Sequence, residues 1–372
     1  MWYRMQRVLP LCAVTVASLL AGCGGIAPRP ISAQKPLYLL TVDGQQLQLD
    51  VISRPSYQLA GDMPLGSVGS TPPDGAVGLL SSDAAIVTHT AAAERGTQTV
   101  KAATMLCALT SGSCQTVLDG WGSATVNIVN HQVAVPIWNG LDTLHGELAL
   151  LSQASSKVTS RLHLPNLLPG PMQVGSDGKS LYWVTGKIAP DGSGVAYELD
   201  RVDLSSLQVT ATHSFGQMFP SDLAIGPDGS IYVPIMYANL PGKSNSAPTN
   251  PQSGVEVEVF QPDLTATSVF HVGQNPNAVA VSAANGGSLA VIYAGSSESD
   301  QIDVYSLSSH ALVQRIPAPD QSTITYLSTL ADGDYAAVGT RQGRAIIGVF
   351  SSHDTQALWN NFAGTPIAAV AG

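Results

Sequence analysis

The chain has 372 residues, with few charged side chains (11%), few aromatic ones (6%), 36 Gly and 24 Pro. This composition favours a turn-rich all-β protein over a helical one. The formal net charge is −10 and the sequence contains no cluster of Lys and Arg, so the electrostatic footprint of a nucleic-acid-binding protein is missing and no nucleic-acid partner is expected.

Residues 1–22 are predicted to be a signal peptide. Arg4 and Arg7 give a basic start, and residues 8–20 form an apolar stretch too short to serve as a spanning anchor. Leu20-Ala-Gly-Cys23 closes the segment. This motif resembles the lipobox of bacterial lipoproteins, and the resemblance implies cleavage before Cys23 and lipidation of that residue. An ordinary secretory signal with an incidental cysteine is the alternative.

The residues after Cys23 predict an anchor and a short tether. Gly24 resembles the residue at this position in Gram-negative lipoproteins that reach the outer membrane. The resemblance implies a protein on the periplasmic side of that membrane, held in the lipid bilayer by acylated Cys23. In residues 23–36, Pro and Gly recur without periodicity, which indicates an extended linker. The linker spans at most about 45 Å, so we expect the globular part, residues 37–372, to lie close to the membrane.

The globular part is predicted to begin with a hairpin. Leu37–Val42 and Leu47–Val51 are apolar runs that flank Asp43-Gly44, a dipeptide typical of tight hairpin turns. The segment Arg54–Pro73 contains several Pro and Gly residues and is predicted to be a loop.

A repeated hairpin then predicts the fold. In Pro220–Val233, two short apolar runs flank a Gly-Pro-Asp-Gly turn. Copies of this pattern lie about 47 to 57 residues apart in the chain, a period typical of four-stranded propeller blades. The turn residues of the copies are Asp83, Asn130, Asp177, Asp228, Asn285 and Asp332. The predicted blades are residues 76–118, 122–168, 169–218, 219–274, 275–319 and 320–363.

The C-terminal residues are predicted to complete a further blade. Pro366–Gly372 aligns with Pro220–Gly226 and stops where an innermost strand would stop. Pairing this strand with the N-terminal hairpin would close the ring and remove an exposed sheet edge. We therefore predict an all-β fold, a seven-bladed β-propeller whose N- and C-terminal strands share the closing blade. Six or eight blades are the alternatives.

Two cysteines of the predicted globular part lie close together in the sequence. A two-residue turn at Thr110-Ser111 would place Cys107 and Cys114 opposite each other across a hairpin. In an oxidising periplasm such a pair forms a disulfide. Two buried thiols are the alternative.

The other ionisable residues suggest no catalytic centre. Glu256 and Glu258 alternate with valines, and this period of two predicts that they lie on the solvent face of a strand. The eight histidines are scattered, and no two have the spacing of metal ligands.

Pro220–Val233 and its copies resemble the NHL-type and YVTN-type propeller repeats, in which Pro, small apolar residues, Asp-Gly and Ile-Tyr-Val recur. Some of these relatives are lactonases or lyases with a divalent metal at the mouth of the central channel. The resemblance implies Asp74, Asp222 and Asn277 as oxygen ligands of a cation such as calcium. The other interpretation is that these side chains cap the starts of the inner strands and are solvated. No His or Glu stands at a matching position to act as a base, so no catalytic residue is predicted and no cofactor is expected outside this alternative.

The connections between the second and third strands of the blades are predicted to share one face of the propeller. The longest is Asn239–Gly254, and loops of this length are either functional or mobile. Its candidate binding residues are Asn239, Lys243, Asn245 and Asn250. We therefore expect a binding scaffold for envelope proteins or polymers. A metal-dependent lactonase or lyase is the alternative.

Overall fold

The computed structural model describes residues 36–371 except 55, 68–74, 82, 91–101, 120–125, 129–131, 139–144, 153–154, 156, 166, 190–193, 237–254, 295–300 and 331. In these residues the structure is all-β, with seven small antiparallel sheets and one short 3-10 turn, Ala284–Gly286. Within the same residues, no helix has both the length and the apolar character needed to cross a membrane. The predicted signal peptide and Cys23 lie outside the described residues.

Six of the sheets are made of strands that follow one another along the chain. Blade one contains β4 (Gly75–Ser81), β5 (Ala84–Thr90), β6 (Ala102–Ala108) and β7 (Ser113–Asp119). Blade two contains β8 (Val126–Ile128), β9 (Gln132–Trp138), β10 (His145–Ser152) and β11 (Val158–Pro165). Blade three contains β12 (Leu167–Val174), β13 (Ser180–Ile188), β14 (Val195–Asp203) and β15 (Gln208–Gly216).

The next three blades repeat this order. Blade four contains β16 (Phe219–Pro220), β17 (Ala224–Ile225), β18 (Ile231–Met236), β19 (Glu256–Phe260) and β20 (Ala266–His271). Blade five contains β21 (Pro276–Ser282), β22 (Ser288–Tyr293), β23 (Gln301–Ser306) and β24 (Leu312–Pro317). Blade six contains β25 (Ser322–Thr329), β26 (Tyr335–Arg341), β27 (Arg344–Phe350) and β28 (Leu358–Phe362). In blade four, β16 and β17 are two pieces of one inner strand, because both pair with β18.

The seventh blade joins the two ends of the globular part. Its order from the channel outward is β29 (Thr365–Ala371), β1 (Leu37–Asp43), β2 (Gln46–Ile52) and β3 (Leu59–Ser67). The fold is thus the predicted seven-bladed β-propeller, with a closing blade built from both ends.

The closing blade also corrects one prediction. Arg54–Pro73 is not only a loop, because it contains β3, which pairs with β2 along its whole length. The Pro and Gly residues weaken the strand pattern in the sequence. Pro64 is tolerated because β3 is the outermost strand of its sheet and Pro64 is exposed there. Gly61 and Met63 point inward and are buried.

Among the described residues, seven apolar clusters hold the ring together, one between each pair of neighbouring blades. Leu40 and Leu49 of blade seven pack with Val87 of blade one, for example. The cluster between blades six and seven joins Leu37 and Ile347. Each of the remaining clusters likewise lies between two neighbouring blades. Because each sheet is covered on both faces, its central strands are apolar nearly throughout, which explains the buried run in β22.

The predicted turns form between the first and second strands. Asp177 accepts hydrogen bonds from the backbone N–H groups of Lys179 and Ser180, at 2.9 Å each. Gly178 has a φ of 62°, the left-handed conformation for which this turn selects glycine. Asp228 accepts from the Ser230 N–H at 3.0 Å in the same way. Asn130 lies outside the described residues.

Cys107 and Cys114 form the predicted disulfide. They are directly opposed in the register of β6 and β7. The turn between these strands has four residues, 109–112, instead of the two predicted. Gly112, with a φ of 66°, makes the longer turn possible and donates its N–H to the carbonyl of Ala108 at 3.0 Å.

Candidate functional site

The inner strands of the blades enclose a central channel. It contains a cavity of about 450 Å³, a size within the range of small-molecule sites, about 300–1,000 Å³. Six of the seven inner strands contribute described residues to its wall, namely β4, β12, the segment between β16 and β17, β21, β25 and β29. Its polar side chains are Gln173, Ser221, Asp222, Asn277, Thr325, Tyr326 and Ser328.

Irregularities in the inner strands direct several of these residues to the channel. The pairing between first and second strands shifts between Pro169 and Met172, between Pro276 and Ala278, and between Ile324 and Tyr326. In blade four the inner strand is interrupted over residues 221–223. The residues skipped by the pairing include Asn277 and Thr325, and both line the cavity. A β-bulge bends the strand and re-aims a side chain, and bulges are common beside functional sites.

Asp222 lies in the interrupted strand and connects two blades. Its Oδ2 accepts the backbone N–H of Val279 in blade five at 3.1 Å, and the Leu223 N–H also bonds to the carboxyl group. Beside it, the Ser221 hydroxyl donates to the carbonyl of Pro276 at 2.9 Å. Asp222 faces the channel and keeps some access to solvent. Protein atoms surround it, however, and this desolvation raises its pKa to about 7, although the two N–H bonds act in the opposite direction.

Two of the three predicted metal ligands meet in this cavity. Asp222 and Asn277 both line it, and Asp74 lies outside the described residues although its neighbour Gly75 is part of the wall. Calcium takes about six to eight oxygen ligands. In the described residues the wall offers one carboxylate, already bonded to two N–H groups, and no group of three or more His, Cys, Asp or Glu side chains could hold a metal ion. The described residues alone therefore do not fit a calcium site, and the metal prediction depends on Asp74.

Several polar groups of the wall are free to bind something else. Among the described residues, the side chains of Gln173, Asn277 and Ser328 have no hydrogen-bond partner in the protein. The Tyr326 ring, by contrast, is held in place, because its hydroxyl donates to the carbonyl of Ile367 in the next blade. The wall thus combines a fixed aromatic ring with unpaired amide and hydroxyl groups.

The sequence indicated only part of this wall. Asn277 follows the Pro that opens its inner strand, and Asp222 comes two residues after the corresponding Pro, so the repeat alignment was a sufficient signal for both. Gln173, Thr325 and Ser328 were missed. Gln173 lies four residues beyond Pro169 because blade three has a longer bulge, and no Pro precedes Thr325 within β25.

The predicted binding loops join strand ends on one side of the ring, which we call the entry face. Second strands end there and third strands begin there, as with β18 at Met236 and β19 at Glu256. Since neighbouring strands are antiparallel, inner strands such as β21 begin on the same side. Asn239, Lys243, Asn245 and Asn250 lie outside the described residues. The strands on either side of this connection, β18 and β19, end and begin on the entry face. The connection is therefore attached to the face where the channel opens beside Asn277.

Other buried carboxylates lie away from the channel, in the third strands of the blades. Each has a partner on a neighbouring strand: Asp50 with Thr41, Glu147 with Arg161, Asp200 with Thr185 and Thr212, and Asp303 with Arg315 and Tyr293. Paired carboxylates of this kind hold strands together.

Glu258 lies in the third strand of blade four, as these carboxylates do in their blades. Its surroundings show that one prediction was wrong. Glu256 and Glu258 do not lie on an open solvent face, because both are partly buried. The reason is that blades cover each other on both faces, so alternation along a strand does not expose one side. Burial raises the pKa of Glu258, and the nearby Glu256 raises it further.

Comparison with solved structures supports the fold. The dihydro-heme d1 dehydrogenase NirN, in complex with DHE, is similar over 92% of this chain and 77% of its own, with a TM-score of 0.57 and 12% identity. Hydrazine synthase of Kuenenia stuttgartiensis is similar over 93% and 100% of the two chains, with a TM-score of 0.57 and 11% identity. The β-propeller domain of Cps50 (Swd1) from Myceliophteria thermophila is similar over 85% and 96%, with a TM-score of 0.51 and 12% identity.

These likenesses concern the propeller fold alone, since a fold shared at such low identity does not determine function. No protein-family model and no curated protein matches the chain.

Proposed function

We propose that this protein is a lipoprotein of the outer membrane, anchored through Cys23 on the periplasmic side, that acts as a binding scaffold for envelope proteins or polymers. The lipobox-like Leu20-Ala-Gly-Cys23 supports the anchor. The Cys107–Cys114 disulfide agrees with an oxidising compartment.

One observation carries the scaffold proposal. The strand ends that flank five connections, residues 91–101, 139–144, 190–193, 237–254 and 295–300, all lie on the entry face of a ring that this chain closes by itself. Segments attached to one face of a rigid scaffold can act together as one recognition surface. The longest of them, 237–254, is attached between β18 and β19, whose pairing is regular up to Ile235 and Glu256.

Shortening this connection tests the proposal. Replacing Asn239–Gly254 by a Gly-Ser turn should leave the melting temperature nearly unchanged, because doubling a loop costs only about 0.6 kcal/mol in closure entropy. The same change should abolish co-purification of envelope partners after chemical cross-linking of whole cells. Replacing Asp222 by Asn changes the channel wall and not the connections, so this control variant should leave the partners in place. Unchanged co-purification by the shortened variant would reject the scaffold surface.

A metal-dependent lactonase or lyase is the second candidate, favoured by the presence of Asp222 and Asn277 in one cavity. Elemental analysis of the purified lipoprotein separates the two. A stoichiometric divalent cation that is lost in the double variant Asp74→Ala, Asp222→Ala supports the enzyme. Retention of envelope partners by that double variant supports the scaffold.

A further inference from the structure

The described wall of the central cavity carries no basic side chain. Its ionisable groups are the Asp222 carboxyl, which accepts backbone N–H groups, and the Tyr326 phenol, which donates to a carbonyl. Ligands with carboxylate or phosphate groups are normally held by Arg, Lys or several converging N–H groups. An anionic ligand would find no such partner in the described wall. A cationic ligand would meet one carboxyl group there, that of Asp222, which already accepts two backbone N–H groups. An uncharged ligand therefore fits the described wall best.

The free polar groups of the wall both donate and accept hydrogen bonds. The amides of Gln173 and Asn277 each offer an NH2 donor and a carbonyl acceptor, and the Ser328 hydroxyl can do either. A sugar ring presents neighbouring hydroxyl groups that also donate and accept, and its C–H faces pack well on an aromatic ring. Tyr326 is half-buried against the cluster between blades six and seven and also lines the wall, so the accessible part of its ring can pack against such a face.

An extended peptide fits the wall less well. Peptides that bind along a strand need a regular row of unpaired backbone groups. Here the inner strands are bulged or interrupted beside the cavity, at residues 170–171, 221–223, 277 and 325. The regular row is broken at the places where a peptide would have to pair.

We propose that the central channel binds an uncharged oligosaccharide, with Gln173 and Asn277 as its main hydrogen-bonding residues and Tyr326 as the surface for a sugar ring. The residues of this site line the channel wall and do not belong to the connections on the entry face. The test of this site is therefore independent of the test of the proposed scaffold surface.

Calorimetric titration of the full lipoprotein, in a detergent without a sugar headgroup, tests this site. The probes are four uncharged hexasaccharides: β-1,4-glucan, α-1,4-glucan, β-1,4-mannan and β-1,4-linked N-acetylglucosamine. We expect at least one to bind. Gln173→Ala and Asn277→Ala should each weaken its binding about fivefold or more, and Ser328→Tyr, which fills the cavity, should abolish it.

Matched controls remove the same amides from outer strands. Gln208→Ala in β15 and Asn360→Ala in β28 lie far from the channel and should bind like the wild type. The variant shortened at Asn239–Gly254 should also retain glycan binding, which separates this test from that of the scaffold. Melting curves of every variant show whether a loss of binding reflects unfolding.

Three results would overturn the site. The first is that none of the four glycans binds the wild type. The second is that the folded Gln173, Asn277 and Ser328 variants bind as tightly as the controls. The third is that an uncharged Gly-Ser-Ala decapeptide binds in the channel and the glycans do not. The last result would assign the cavity to peptide recognition.

Discussion

At the scale of single residues, turn and buried carboxyl groups can give stability opposite dependences on pH, as three aspartates show. Asp177, in an exposed turn, and Asp203, at the end of β14, accept several N–H or hydroxyl hydrogen bonds, which lower the pKa of their carboxyl groups, that of Asp203 to about 2. The buried carboxyl of Asp50, in the third strand of blade seven, behaves differently. Burial raises the pKa of Asp50 to about 6, and hydrogen bonds from Thr41 and Gln48 offset this only in part.

Asp50 provides a pH-dependent stability that can be measured. Between its unfolded pKa near 3.9 and its folded pKa near 6, the native state binds the proton and the unfolded state does not, so stability falls as pH rises through this window. Asp50→Asn keeps a partner for Thr41 and Gln48 without a charge. The variant should exceed the wild type at pH 7.5 by about 3 kcal/mol, or about 4 °C in Tm, and by only about 1 kcal/mol at pH 4.5.

Thermal melting at the two pH values checks this. Asp203→Asn is the control: its lowered pKa means that the wild-type carboxylate stabilises the fold above about pH 4, so this variant should show no gain at pH 7.5. A difference between Asp50→Asn and wild type that is equal at both pH values would show that Asp50 is not protonated in the folded protein.

The sequence was sufficient to predict residues whose role depends only on their neighbours in the chain. Asp177, Asp228 and Gly178 were predictable because tight turns select these residue types. The disulfide was predictable because two cysteines flank one turn. Gln173, Ser328 and the buried partners of Asp303 were not predictable, because their positions depend on bulges and on contacts between blades, which no spacing within one repeat encodes.

At the scale of elements, the closing blade depends on β29. This strand pairs with β1 along Leu37–Val42, and Ile367 and Ala368 are buried in the cluster between blades seven and one. Tyr326 of blade six donates a hydrogen bond to the carbonyl of Ile367. The strand therefore contacts both neighbouring blades as well as its own.

Ending the chain after Gly364 should open the ring. The deletion exposes the apolar residues of β1 and leaves a long unpaired strand edge, which favours aggregation. We expect loss of the cooperative melting transition and oligomers in size-exclusion chromatography. A circular permutant that joins Gly372 to Leu37 by a short linker and begins within 239–254 keeps every strand and should melt like the wild type. A truncated protein that melts within a few degrees of wild type would contradict the shared blade.

Elements were predictable where the repeat is clear. The six internal blades lie within a few residues of their predicted bounds because an Asp-Gly or Asn-Gly turn marks most of them. The third strand of the closing blade, β3, was predicted as part of a loop. Its Gly and Pro residues weaken the strand signal, and only its pairing with β2 in the closed ring stabilises it.

At the scale of the whole molecule, Cys23 is predicted to hold the propeller at the membrane. Cys23→Ala should leave an unprocessed precursor or release the protein from membranes, because the predicted lipid on Cys23 is what would give stable attachment. Fractionation of cells followed by a salt wash checks this, with the Asn239–Gly254 shortened variant as a lipidated control. A Cys23→Ala protein of mature size that stays with the outer membrane would contradict the anchor.

The most direct test of the scaffold is to compare the two faces of the ring by site-specific photo-cross-linking in living cells. Positions 245 and 250 lie in the predicted binding connection of the entry face. Ser206 and Pro262 lie in exposed turns between third and fourth strands, on the opposite face. We predict discrete adducts with envelope components from 245 and 250 and none from 206 and 262. Equal adducts from both faces, or adducts only from 206 and 262, would contradict a binding surface on the entry face.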